Sequence, residues 1–119
     1  MIRERFKSFR YAFQGLTDLL RSQPNARIHL AAAAAVLSAG LALGLKPVEW
    51  MVLILTIAVV FAAEAFNTAL EYLTDLASPE HHPLAGKAKD AAAAGVLLTA
   101  LGAALVGGLL FLPKLLALL

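Results

Sequence analysis

No cysteine occurs in the chain, which excludes a disulfide framework, a thiolate nucleophile and a Cys-based zinc site. Charge is scarce too. Only 15% of the residues are Asp, Glu, Lys or Arg, whereas 61% are apolar, and mean hydropathy is +0.78. A soluble domain is about 45–50% apolar, so this chain is too apolar for an ordinary globule in water and the bilayer is its expected solvent. At 119 residues it forms at most one domain, residues 1–119. The net charge of +2 comes mostly from the first 27 residues. That concentration fits contact with anionic headgroups, whereas nucleic-acid binding needs a larger basic surface interleaved with aromatics. The basic start is not closely followed by an uninterrupted apolar run or a small-residue cleavage site, so no signal peptide is expected.

The usual nucleotide and nucleophile motifs are also missing. Gly86-Lys87 is followed by Ala88, so there is no phosphate loop of the G-x-x-x-x-G-K-[ST] kind. No glycine-rich loop over ATP, H-R-D and D-F-G pair, or G-x-S-x-G elbow occurs.

What is present is apolar length. A membrane-crossing helix needs roughly 20 mostly apolar residues, and three segments qualify: residues 28–45, 48–76 and 91–112. Trp50 is an interface anchor for the second, which is apolar from Met51 to Ala63 and then turns polar toward Leu76. A loop over 77–88, broken by Pro79 and Pro83, separates the second and third spans, and Pro113 is expected to end the third. Ahead of them, Ile2, Phe6, Phe9, Phe13, Leu16 and Leu20 recur at spacings of 4 and 3 and share one helical face. Arg3, Lys7, Arg10, Gln14, Thr17 and Arg21 follow the same rhythm one residue later. Residues 2–22 are therefore read as an amphipathic helix lying in the membrane interface; the alternative is a helix packed on a soluble core.

Eight basic residues (Arg3, Arg5, Lys7, Arg10, Arg21, Arg27, Lys87, Lys89) fall on one side of the spans, and only Lys46 and Lys114 on the other. By the positive-inside rule the N-terminus and second loop are cytoplasmic and the C-terminus faces out. The fold expected is an all-α membrane protein, one surface helix plus three spans. Three short spans bury little within one protomer, and the alanine runs 31–35 and 91–94 offer small faces for close helix packing, which points to an oligomer.

Glu64, Asn67, Glu71 and Asp75 stand at i, i+3, i+7 and i+11, within about an 80° arc, and so form a single stripe on the second span. Ionisable groups at membrane depth are expensive and default to a functional role. Asp75, and Glu71 with it, can also be read as the point where the helix meets water. At the start of the third span, Lys89 and Asp90 are open to two readings: a snorkelling lysine beside a helix cap, or a phosphate site formed with the adjoining helix N-terminus. His81 and His82 lack metal-ligand spacing, and no zinc site is expected there.

The stretch Ala63–Asp90, AEAFNTALEYLTDLASPEHHPLAGKAKD, closely resembles the bacterial diacylglycerol kinase / undecaprenol kinase family. The matching elements are E-x-x-N-[ST]-A-[IL]-E-x-x-x-D, a loop with E-x-H-x-L, and a Lys-Asp pair. R-F-x-x-S-F-x-x-A-x-x-G (Arg5 to Gly15) and N-x-R-I-H (Asn25 to His29) resemble it as well, so the likeness covers essentially the whole chain. The resemblance implies a homotrimeric, multi-pass enzyme of the bacterial inner membrane that moves the γ-phosphoryl of Mg-ATP onto a lipid hydroxyl.

It further implies that Glu64 is the general base, that Asn67 orients the base or the substrate, and that Glu71 ligates Mg²⁺ or another divalent cation carried with ATP. Tyr11, Glu80 and His82 would join Glu71 around the nucleotide. Lys89 and Asp90 would hold its phosphates and its purine or ribose end, and Phe13 and Ala94 would lie against the lipid beside Glu64. Where many relatives carry an acidic second metal contact, this chain has Gln23, an uncharged carbonyl donor with Asn25 nearby. Asn67-Thr68, His81-His82-Pro83-Leu84 and the ending Phe111-Leu112-Pro113-Lys114-Leu115 look more like the undecaprenol kinase branch, with diacylglycerol as the alternative substrate. A rival without enzymatic activity is a proton- or ion-conducting subunit with Glu64 as carrier. Such a carboxylate belongs near mid-bilayer, whereas this stripe continues outward to Asp75.

Overall fold

A computed structural model describes residues 1–119 as four helices: α1 (Ile2–Ser22), α2 (Pro24–Leu43), α3 (Pro47–Ala77) and α4 (Pro83–Leu116). The protein is all-helical, and α2, α3 and α4 are each long and apolar enough to cross a membrane.

Prolines mark three of the four starts. Pro24, Pro47 and Pro83 each occupy the first turn of a helix, where a missing N–H loses nothing and the fixed φ is already helical. The α1–α2 break is a single residue, Gln23, in an extended conformation (φ −111°, ψ 110°) that turns the chain between two helices. Helix α2 ends in a left-handed cap at Gly44 (φ 72°), a conformation that a side chain disfavours. At the neighbouring Gly40, a Cβ would lie 2.8 Å from the Trp50 ring and 2.9 Å from Leu45 Cδ1, so the absence of a side chain lets Trp50 close over α2.

The last helix begins earlier and ends later than apolarity suggests. The loop read over 77–88 shrinks to Ser78–His82, because Leu84, Ala85, Lys87, Ala88 and Lys89 are good helix formers and Pro83 nucleates them. Hydropathy marks where a span becomes apolar, not where its helix begins. Asp90 therefore neither caps a helix nor stands at an N-terminus; the cap is His82, whose Nδ1 accepts from the Leu84 N–H at 3.1 Å. At the other end Pro113 is tolerated inside the final turns, and the helix continues to Leu116.

Helices α3 and α4, of 31 and 34 residues, are much longer than the roughly 20 that a hydrocarbon core requires. They pack antiparallel as a hairpin closed by Ser78–His82. A small core of Leu45, Leu53 and Phe111 gathers at the opposite end, flanked by Trp50 and Ile57. There Lys114 pairs with Glu49 at 3.1 Å, and Glu49 Oε2 also accepts the Lys46 backbone N–H at 2.8 Å. Only 10 of the 119 residues are buried, so most of the apolar side chains require lipid or another copy of the chain as a neighbour.

Candidate active site

Glu64 lies in the middle of α3, and its side chain is 2% exposed, the most deeply buried charged group in the protein. Facing it from α2 is His29, whose Nε2 sits 3.2 Å from Glu64 Oε1. That is ion-pair distance without the alignment of a hydrogen bond, since Oε1 accepts none. One turn further along α3, Asn67 Nδ2 donates a long hydrogen bond of 3.4 Å to Glu71 Oε1. A carboxylate only accepts, so the amide nitrogen has to face it, and Asn67 Oδ1 is left buried without a partner. Thr68, 4% exposed, likewise has a hydroxyl with no partner. Thr17, Ser38 and Thr56 instead donate to the carbonyl four residues back. Three buried polar atoms with no aligned partner within one helical stretch are unusual, because such groups are normally satisfied.

Beyond Glu71 the helix reaches Asp75, and Lys89 of α4 crosses the hairpin to pair with its carboxylate. The two side chains are 64% and 41% exposed, so the pair stands at the open end of the site. Lys89 is two turns into α4, away from that helix's N-terminus, so no helix-end anion site adjoins it.

Helix α1 is tied to the same region from the side. The Tyr72 hydroxyl donates to Asp18 Oδ2 at 2.7 Å and lies 3.3 Å from Ser22 Oγ, while Leu19 and Ala26 are buried at the α1–α2 elbow.

No hydrogen bond or ion pair joins the other residues singled out in the sequence to this stripe. Gln23 is half-buried at the elbow, and its side chain makes no capping bond. Glu80 and His82 sit in the connection between α3 and α4, with His82 engaged as the α4 cap. Tyr11 and Phe13 are exposed on α1, Asp90 and Ala94 on α4, and none of the four is hydrogen-bonded to the stripe. His29, and the partner that Asp75 takes, are what the sequence does not reveal. Both belong to pairs between helices, and periodicity within a helix cannot reveal such pairs; the only signal for His29 is its place in N-x-R-I-H.

Nowhere do three His, Asp or Glu side chains converge. Magnesium takes only one or two protein carboxylates and fills its octahedron with phosphate and water. Glu71 is a hard carboxylate donor of the right kind for that share, so a single carboxylate here fits such an ion.

A buried carboxylate, an amide–carboxylate pair and a lysine, in order along one side of a helical hairpin, form a site suited to phosphoryl transfer at a membrane edge. Comparison with known proteins agrees with that class. The family model described as prokaryotic diacylglycerol kinase matches residues 10–111. The chain is 46% identical over 110 residues to the undecaprenol kinase of Bacillus subtilis (strain 168), covering 92% of this chain and 89% of that one. It is 46% identical over 112 residues to a diacylglycerol kinase of Synechocystis sp., covering 93% of this chain and 64% of the relative. A diacylglycerol kinase of Haemophilus influenzae is 30% identical over 105 residues, covering 87% and 89% respectively. The chain belongs to the prokaryotic diacylglycerol kinase family and is a lipid kinase, with ATP as its co-substrate.

Proposed function

We propose that the protein phosphorylates undecaprenol to undecaprenyl phosphate in the bacterial inner membrane, with diacylglycerol as the second reading. Support comes from the kinase of Bacillus subtilis, at 46% identity over 89% of that protein's length. The diacylglycerol kinase of Synechocystis, at the same identity, keeps the second reading in play.

The observation that carries the mechanism is Glu64: a carboxylate 2% exposed, in an apolar helix, on one face with Asn67 and Glu71. Glu64 takes the proton of the lipid hydroxyl as that oxygen attacks the γ-phosphorus. Asn67 orients the base or the substrate. Glu71 holds a divalent cation, with Gln23 as an uncharged second donor from the α1–α2 elbow. When bound, the cation neutralises charge on the transferring phosphoryl oxygens. Lys89 leaves Asp75 for the nucleotide phosphates, Asp90 and Tyr11 contact the purine or ribose end, and Glu80 and His82 close over it from the connection. Phe13 and Ala94 border the lipid.

Helix α1, with Phe6, Phe9 and Phe13 exposed along one side and arginines along another, lies on the cytoplasmic surface of the membrane. The exposed apolar surface of α2, α3 and α4 supports assembly with further copies, and the family resemblance supports a homotrimer. The N-terminus and the α3–α4 connection face the cytoplasm, and the C-terminus faces out.

The test is ATP consumption by protein in mixed micelles as lipid alcohol is added. Glu64→Gln is expected to abolish it while the oligomer still elutes unchanged from a sizing column. An unaffected rate would remove Glu64 from the base role.

A further inference from the structure

A base that takes a proton in every turnover must release one in every turnover. Glu64 is badly placed to do so directly, because its side chain is only 2% exposed. Its neighbours on α3 offer no outlet. The Asn67 amide carries no exchangeable charge and is turned toward Glu71, and the Thr68 hydroxyl is as buried as the carboxylate. Lys89 is engaged with Asp75 at the far end of the stripe. His29 alone differs. It is the one basic side chain paired with Glu64, it comes from another helix, and at 21% exposure it is less enclosed than the carboxylate.

An imidazole has a nitrogen that can accept while the other donates, and histidine ordinarily changes charge in the physiological range. The ring stands 3.2 Å from Glu64 Oε1, close enough for a proton to pass once the two are aligned. We propose that His29 is the proton outlet of Glu64: the proton that Glu64 takes from the lipid hydroxyl passes to His29 Nε2 and leaves to water from Nδ1. This rests on Glu64 being the base.

The balance closes without further reactants. The lipid oxygen loses its proton and gains the γ-phosphorus, and the bond from that phosphorus to the β–γ bridging oxygen breaks, leaving ADP. The proton protonates Glu64, then Nε2 of a His29 ring already protonated at Nδ1. The imidazolium formed releases its Nδ1 proton, and exchange with water restores the starting tautomer. Glu64 is again a carboxylate.

The experiment compares His29→Ala, His29→Gln and Glu64→Gln in mixed micelles with Mg-ATP and undecaprenol, with and without added imidazole. His29→Ala is expected to lower kcat by roughly 100-fold, in the range for positioned acid–base groups, with KM for both substrates changed less than about twofold. Imidazole is expected to restore about a tenth or more of the rate, in proportion to its free-base concentration. His29→Gln keeps a hydrogen-bond donor and most of the packing but cannot relay a proton, so it is expected to remain as slow as His29→Ala. It also decides the matter if His29→Ala does not fold.

Near-normal turnover in His29→Gln, or no imidazole rescue of a folded His29→Ala, would overturn the relay and leave His29 a packing partner. Glu64→Gln separates the two layers. Full activity there removes the base and the relay together, whereas an inactive Glu64→Gln beside a fully active His29→Gln removes the relay alone.

Discussion

Lys89 of α4 pairs across the hairpin with Asp75 of α3, fourteen residues earlier in the chain. The lysine proposed to bind phosphate is held at the open end of the site by this carboxylate. Lys89→Ala is expected to raise KM for ATP by about tenfold, the value of one charge-assisted contact, with KM for the lipid alcohol unchanged. Initial rates over an ATP series check it; a change confined to the lipid KM would contradict the assignment.

The same pair should matter little to folding. Both side chains are substantially exposed, so Asp75→Asn is expected to change unfolding free energy by less than about 1 kcal/mol. Denaturation in detergent is the check, and a loss of several kcal/mol would mean that the pair fastens the hairpin.

Glu71 and Gln23 make a paired prediction about the cation. Glu71→Gln is expected to abolish activity at any magnesium concentration, and Gln23→Ala to retain most of it. Gln23→Glu, by adding a charge, is expected to lower the magnesium concentration needed for half-maximal rate. Magnesium titrations of the three variants decide whether one carboxylate suffices.

Gly40 tests packing at the end remote from chemistry. A side chain there meets Trp50 and Leu45 within 3 Å, so Gly40→Val is expected to destabilise by about 1–3 kcal/mol, as overpacking does. Thermal unfolding followed by Trp50 fluorescence reads it directly. An unchanged midpoint would mean that the indole swings aside freely.

Much of this architecture was legible in the sequence, and the parts that were not share a cause. Apolar length announced three helices able to span a membrane, and period alone put Glu64, Asn67 and Glu71 on one face. The start of α4 escaped because Pro83–Asp90 is helical without being apolar. His29–Glu64 and Lys89–Asp75 escaped because each joins two helices, and no pattern within one helix encodes its depth or rotation against another. Asp75 stands out as part of the stripe and His29 does not, but only packing gives either of them a partner.

The choice of alcohol is the most exposed point. Purified protein in mixed micelles, with radiolabelled ATP and equal mole fractions of undecaprenol and diacylglycerol, gives the answer in the two labelled products. Undecaprenyl phosphate is expected to form the faster, and preferential labelling of phosphatidic acid would contradict it.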